Sequence, residues 1–163
     1  MALPELSFTV ADKVLSVLPS WIVSRYYSME RLERELRFEL AADRPMLYTL
    51  GTYVPGFTAQ FNVTNFTSLT WKVHDFRVRI LAQSQPFGTA ETNGRPAPIK
   101  PKTVGTVLVH GQLSDSQTRR LLEQANVSLR MPTTLYVTAQ MESKLGIVEF
   151  EPSFNNRPAE IMR

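Results

Sequence analysis

Residues 57–80 read FTAQFNVTNFTSLTWKVHDFRVRI, which is two runs of alternating apolar and polar residues around a polar break. Successive side chains of a strand point to opposite faces, so each run predicts a strand with one buried face. The break, residues 64–68, consists mainly of Thr, Asn and Ser, which bond their own backbone in turns. Residues 73–76 interrupt the second run by one position, as a β-bulge does. The pattern therefore predicts an antiparallel β-protein with Asn65 defining the turn between the two strands.

The composition indicates one folded domain and removes several kinds of chemistry. The chain has 163 residues, of which 43% are hydrophobic and 20% charged, enough to bury a core. It contains no cysteine, which excludes disulfides, thiolate zinc sites and cysteine nucleophiles. The 18 basic and 15 acidic side chains give a net charge of +3.

The N-terminal part of the chain has helical periodicity over residues 8–36, and Pro19 predicts a kink within it. Its apolar stripe is formed by Val14, Val17, Leu18, Trp21, Ile22 and Tyr26. Such a stripe packs on its own domain, docks on a partner chain, or lies in a membrane interface. Because only Lys13 and Arg25 flank it, packing within the domain or against a partner protein is favoured over lipid.

The remaining segments alternate between strand and turn signals. Alternation predicts strands at residues 36–40, 46–53, 104–113, 135–141 and 147–151, besides the two already described. Residues 83–101 are polar and rich in Pro and Gly, which predicts a loop with a short strand around Ile99. Ser114 and Gln117 form a capping-box pattern that predicts a short helix. The tail from Pro152 onward predicts irregular structure.

Basic residues are concentrated in the middle of the chain. The candidate surface for an anionic partner consists of Lys72, Arg77, Arg79, Arg95, Lys100 and Lys102. The alternative is a solvated strand face followed by a soluble loop. That alternative is favoured, and no nucleic-acid partner is expected, because no basic motif interleaved with aromatic residues is present.

Catalytic and metal-binding patterns are missing from the sequence. The only histidines, His74 and His110, have no second ligand at metal-binding spacing, so structural roles are expected for both. The sequence has no Gly-x-Ser-x-Gly nucleophile motif and no phosphate-binding glycine loop. We therefore expect a protein that is not an enzyme and needs no cofactor or metal.

The sequence contains no targeting or membrane-spanning pattern. No apolar run reaches 18 residues, and the N-terminus lacks the features of a signal peptide. A soluble or peripheral membrane protein is expected, and the compartment stays open.

The order of these elements resembles the water-stress and hypersensitive-response (WHy) domain, or group 2 late-embryogenesis-abundant domain. The resemblance covers about residues 50–152. The matching segments are residues 61–67, the strand at 73–80, Gly88, residues 106–109, Leu121-Leu122 and residues 135–146. The family has Asn-Pro at the first break, where this chain has Asn65-Phe66.

The resemblance implies a mostly β fold, an immunoglobulin- or fibronectin-III-like antiparallel β-sandwich with one short inserted helix. The predicted organisation is an N-terminal helical segment over 1–45, the sandwich over 46–152 and an irregular tail over 153–163. The implied function is non-enzymatic binding or protection under water stress and desiccation, beside a membrane in some relatives.

Two other functions stay open at this point. The chain could be a structural subunit that docks on a protein partner or on itself through the N-terminal helix. It could instead carry a lipid or another apolar ligand between the sheets or under that helix.

Overall fold

The structure is a computed structural model that describes residues 14–15, 17–92 and 94–163. The helices are α1 (Ser20–Tyr26), α2 (Met29–Glu35) and α3 (Asp115–Ala125). The strands are β1 (Leu36–Leu40), β2 (Met46–Thr49), β3 (Gly56–Asn65), β4 (Lys72–Ala82), β5 (Gln85–Thr92), β6 (Thr103–Gln112), β7 (Arg130–Ser143), β8 (Gly146–Phe150) and β9 (Ser153–Met162). The part of the predicted N-terminal helix before Val14, and Ser16 within it, lies outside the described residues.

Seven strands form a closed barrel in the order β3-β2-β9-β7-β4-β5-β6, and β6 pairs with β3 again. All pairs in this ring are antiparallel except β2 with β9, which are parallel from Met46↔Ala159 to Thr49↔Met162. β1 extends from β3, and β8 extends from β7. The chain is mostly β, as predicted.

The predicted immunoglobulin- or fibronectin-III-like β-sandwich is wrong, because the sheet closes on itself instead of forming two stacked sheets. The strand that closes it is β9, so the prediction of irregular structure over residues 153–163 is also wrong. β9 bonds β7 on one edge and β2 on the other. A closed barrel leaves fewer open sheet edges than a sandwich does.

A proline within β9, Pro158, explains why the sequence of β9 does not read as a strand. Pro158 lies opposite Pro132 in the β7–β9 ladder. The Ile161 N–H donates to the Leu129 carbonyl at 2.8 Å, and bonded pairs alternate along an antiparallel ladder. Pro158 and Pro132 therefore form a non-bonded pair, and neither removes a β7–β9 hydrogen bond. Asn156, with φ of 51°, adds a local break in the alternation.

Local signals elsewhere are confirmed. The register of β4 against β7 shifts between Val73 and Asp75, which is the predicted bulge. Ser114 and Gln117 form the predicted capping box at the start of α3. The sequence Lys144-Leu145-Gly146 predicts a tight turn, which is present between β7 and β8, where Gly146 has a φ of 94°. The loop prediction for residues 83–101 is wrong over Gln85–Thr92, which forms β5.

Aromatic rings fill the interior of the barrel. Phe61 lies 5.2 Å from Phe76 and 5.5 Å from Phe154, measured between ring centroids. Tyr48 contacts Phe57 at 5.0 Å and Phe87 at 5.5 Å. Burial of this many rings accounts for a large part of the hydrophobic stabilisation.

The buried phenol of Tyr48 should make the free energy of unfolding decrease at alkaline pH. Its hydroxyl lies 3.1 Å from Thr133 Oγ1, and burial raises the pKa of Tyr48 from 10 to about 12. Stability from the neutral phenol is complete below pH 10 and is lost as the pH rises through 12, because the unfolded chain ionises first. Between these pH values the wild type should lose about 2 kcal/mol more unfolding free energy than Tyr48→Phe.

Urea unfolding of both proteins across this pH range measures the difference. The other tyrosines and the lysines cancel in the comparison, since both proteins contain them. Equal pH slopes for the two proteins would contradict the prediction.

Candidate functional site

Asn65 is fully buried at the end of β3 and bonds four groups, three in the turn that follows and one in the segment around Ile99. Its Nδ2 donates to the carbonyls of Leu69 at 2.7 Å and Ile99 at 3.1 Å. Its Oδ1 accepts from Thr67 N at 2.9 Å and from Thr67 Oγ1 at 2.7 Å. A short polar side chain that both donates and accepts is suited to this position. The residue singled out at the break thus holds the turn together and ties it to the segment around Ile99.

Trp71 belongs to the same corner of the barrel. Its indole Nε1 donates to Thr67 Oγ1 at 2.9 Å, and its ring contacts Phe150 edge-on at 6.2 Å. The Trp71 N–H also donates to the Ile99 carbonyl at 3.0 Å. The predicted short strand around Ile99 is present as this single bridge.

The six apolar residues predicted to contact a partner are divided between two environments. Leu18 and Ile22 are partly buried. The exposed fractions of the other four are 50% for Val14, 82% for Val17, 61% for Trp21 and 45% for Tyr26. Val23, outside the predicted set, is the buried residue of α1. We call Val14, Val17, Trp21 and Tyr26 the apolar face.

The apolar face borders a cluster of arginine and aromatic side chains. The Arg31 guanidinium lies 3.9 Å from the ring centroid of Tyr26 and pairs with Glu35 at 2.6 Å. Partial burial opposes the charged form of Arg31, but hydrogen bonds to Glu35 and Tyr26 outweigh it and raise the pKa of Arg31. Arg25 lies 5.9 Å from the Trp21 ring. This end of the barrel therefore combines exposed rings with fixed positive charge.

The six basic residues of the middle region lie in different surroundings. Lys72 and Arg95 line an open cleft of about 570 Å³ that also contains Asp75, Glu91 and Glu142. Arg77 pairs with Asp75 at 2.9 Å, and Arg79 lies over the Tyr136 ring at 5.0 Å. The remaining two, Lys100 and Lys102, are exposed or nearly so in the segment that leads into β6. Carboxylates therefore offset much of the positive charge in the cleft.

The histidines lie on separate strands. His74 is in the bulge of β4, and His110 is on β6 opposite Glu91. Within residues 14–15, 17–92 and 94–163, His, Asp and Glu side chains form no cluster of three that could hold a metal ion.

A gap between two strands is the feature that the sequence did not indicate. β1 is followed along one edge of the gap by β2, and β8 is followed along the other edge by β9. β2 and β9 are hydrogen-bonded to each other, but β1 and β8 are not paired across the gap in the described part of the chain. A cleft of about 600 Å³ separates Leu36–Glu39 from Phe150–Pro152. We call the end at Leu36 the lower end of the gap and the end where β2 meets β9 its upper end. A second cleft of about 900 Å³ continues along β9 to Glu160. We call this gap the seam.

Comparison with known proteins supports the fold at a coarse level. No protein-family model and no curated protein sequence matches the chain. The solution structure described as "a putative late embryogenesis abundant (LEA) protein" matches with a TM-score of 0.52 and 9% identity, covering 99% of this chain and 91% of the other. The chain is therefore a β-rich domain whose fold is similar to that of this protein.

Two further solved structures are less similar. A protein from Archaeoglobus fulgidus matches with a TM-score of 0.42 and 14% identity, covering 75% of this chain and 95% of its own. A FixG-related protein from Vibrio parahaemolyticus matches with a TM-score of 0.39 and 13% identity, covering 75% and 96% respectively. These scores are too low to bear on function. In the described part of the chain, no helix has the length and hydrophobicity needed to cross a bilayer.

Proposed function

We propose that this chain is a non-enzymatic binding domain of the water-stress type, which protects other proteins by covering apolar surface that they expose on drying. The observation that carries the proposal is the apolar face, where Val17 is 82% and Trp21 is 61% exposed. Exposed aromatic and aliphatic side chains in a group commonly mark an interaction surface. The likeness of fold to a putative LEA protein supports the same proposal at the level of fold only.

The arrangement around the apolar face suits contact with partly unfolded proteins. Trp21 and Tyr26 offer large ring surfaces, and Arg25 and Arg31 lie against those rings. Aromatic and arginine side chains contribute most to binding at protein interfaces. The apolar face is an open surface and not an enclosed pocket. The proposed partner is therefore any protein segment that exposes apolar side chains, and no particular partner shape is required.

Removal of the apolar face should abolish protection without unfolding the barrel. Lactate dehydrogenase would be dried with the chain, rehydrated and assayed for recovered activity. Val17→Ser combined with Trp21→Ser should lose most of the protection given by the wild type, while its unfolding free energy changes by about 0.5 kcal/mol or less, since both side chains are exposed.

A matched control lies at the opposite end of the barrel. Val127 and Leu129 are 85% and 57% exposed, so Val127→Ser with Leu129→Ser removes similar apolar area. The control variant should protect as well as the wild type. Equal protection by both double variants, or none by the wild type, would overturn the proposal.

The second candidate is a structural subunit that docks through the same helix. It is favoured by the same exposed residues, since a neighbouring chain could cover Val17 and Trp21 in an assembly. Light scattering separates the two functions. A stable oligomer that dissociates in the Val17→Ser, Trp21→Ser variant would support assembly, whereas a monomer supports protection.

The carrier function has less support. In the described part of the chain, aromatic rings such as Phe61 and Phe76 occupy the barrel interior. Native mass spectrometry of the gently purified protein tests this function, because a carrier should retain a bound apolar mass.

A further inference from the structure

The seam presents two strand edges whose outward backbone groups pair with no other strand within the described residues. In the β1–β3 ladder, the Ala41 N–H donates to the Gln60 carbonyl at 2.9 Å, and the Phe66 N–H donates to the Glu35 carbonyl at 2.7 Å. Bonded pairs alternate along an antiparallel ladder, so odd-numbered residues of β1 face β3. The N–H and carbonyl groups of Phe38 and Leu40 therefore point into the seam.

The opposite edge of the seam has the same property. The Val137 N–H donates to the Pro152 carbonyl at 3.0 Å, which fixes the phase of the β7–β8 ladder. Even-numbered residues of β8 face β7, and in the same phase the backbone groups of Glu151, which follows β8, point away from β7. The backbone groups of Phe38 on one edge and of Glu151 on the other thus border one cleft of about 600 Å³, and in the described part of the chain neither edge pairs with a further strand.

The direction of the two edges selects how a strand could enter. β1 and β2 are both antiparallel to β3, and β8 and β9 are both antiparallel to β7. Because β2 is parallel to β9, β1 and β8 also run in the same direction. A strand running in the opposite direction would be antiparallel to both neighbours. It would continue a barrel in which the ring pairs other than β2–β9 are antiparallel. The five residues of β1 span about 17 Å, the length of a short recognition strand.

The chemistry of the seam changes along its length. Its floor is apolar, since Phe38 contacts Phe150 at 5.4 Å. At the lower end, where β1 begins, the rim carries Glu33, Glu39 and Glu151. Arg37 also lines this end, and its Nε donates to the Arg34 carbonyl at 3.3 Å, so three carboxylates against one guanidinium leave this end net acidic.

The upper end, where β2 and β9 join, has the opposite sign. Three arginines, Arg44, Arg130 and Arg157, line it. Glu39 is shared with the lower cleft, and Glu160 lies 4.0 Å from Arg130, so this end is net basic. A strand antiparallel to β1 enters with its N-terminus at this basic end and its C-terminus at the acidic end. Charge complementarity therefore favours acidic residues at the start of the bound strand and basic residues at its end.

We propose that the seam binds an extended peptide by strand addition: about five to seven residues, alternately apolar, acidic at the N-terminus and basic at the C-terminus, antiparallel to β1 and β8. Alternate apolar side chains lie on Phe38 and Phe150, and the polar ones line the charged rim. The proposal does not rest on the protective function, because it uses none of the residues of the apolar face.

The probe is a blocked peptide of sequence Asp-Val-Thr-Val-Lys-Val-Lys, titrated into the full chain at low salt. Binding should slow amide hydrogen exchange at Phe38, Leu40 and Glu151 by about tenfold or more, since these N–H groups become bonded. A peptide with the same residues in reverse order should bind at least about threefold more weakly, because its charges oppose those of the rim. N-methylation of the three valines should weaken binding about tenfold or more, because it removes backbone donors.

Two charge-reversal variants test whether the charged rim of the seam contributes to the affinity for the peptide. Glu151→Lys at the lower end should weaken binding of the probe about threefold, as expected for exposed charge pairs. Glu123→Lys on α3 makes the same charge change away from the seam and should leave binding unchanged. The Val17→Ser, Trp21→Ser variant should bind the probe normally, which keeps this test distinct from that of the protective function.

Three results would overturn the proposal. The first is the absence of saturable binding up to about 1 mM peptide, which corresponds to a negligible affinity. The second is binding that is insensitive to N-methylation or that protects amides outside the seam. The third is prior protection of the Phe38 and Leu40 amides in the free protein together with a dimer mass, which would assign the seam to a second copy of the chain.

Discussion

Asn65→Ala is expected to lower the free energy of unfolding by about 4 kcal/mol. The substitution removes two donors and two acceptor contacts inside a corner where Asn65 and Thr67 are fully buried. Each buried group left without a partner costs about 1–3 kcal/mol. Part of the loss is offset, because the Leu69 carbonyl also accepts from Thr67 Oγ1 at 3.3 Å. Urea unfolding followed by circular dichroism measures the change.

Asn62→Ala is the matched control for Asn65. Asn62 lies three residues earlier on β3, and its side chain is partly exposed on the outer face. Loss of the same amide there should change stability by about 0.5 kcal/mol or less. A destabilisation of similar size in both variants would mean that the turn bonds of Asn65 do not hold the corner.

Trp71→Ala is expected to destabilise the barrel by about 3–5 kcal/mol, the usual cost of emptying a core aromatic site. Trp71 is fully buried, packs against Phe150 at 6.2 Å and donates to Thr67 Oγ1 at 2.9 Å. The substitution therefore creates a cavity and also removes a bonded partner of the Asn65 corner. Thermal and urea unfolding by circular dichroism measure the loss.

The second tryptophan provides the comparison. Trp21 is 61% exposed, so Trp21→Ala should leave stability almost unchanged. A near-neutral Trp71→Ala would disprove the placement of this side chain in the core. Because Trp71 and Asn65 both bond Thr67, the double variant should lose less stability than the sum of the single variants.

These predictions concern a corner that could be located from the sequence. The polar break after β3 identified the turn and Asn65, because turn residues act through groups only a few positions away. The same holds for the bulge in β4 and for the capping box of Ser114, both of which the structure confirms. Local hydrogen-bonding chemistry and alternation are properties of neighbouring residues, and they are visible without a fold.

The placement of the apolar stripe required the structure. Periodicity grouped Leu18 and Ile22 with Val17 and Trp21, but only the packing of α1 on the barrel separates the partly buried pair from the exposed pair. Helical spacing shows which residues share a face, and it does not show whether another surface covers that face.

The amino-acid sequence by itself thus determined most of the strands, though not β5 or β9, and the turn at Asn65, since each of these signals depends on residues that are close in the chain. Closure of the barrel and the existence of the seam depended on tertiary structure. Both arise from the parallel pairing of β2 with β9, two strands that lie far apart in the chain. The register of that pair determines where the wall closes and where β1 and β8 stay apart. A strand's own sequence does not record which distant edge it meets, so neither the barrel nor its open seam could be read from alternation alone.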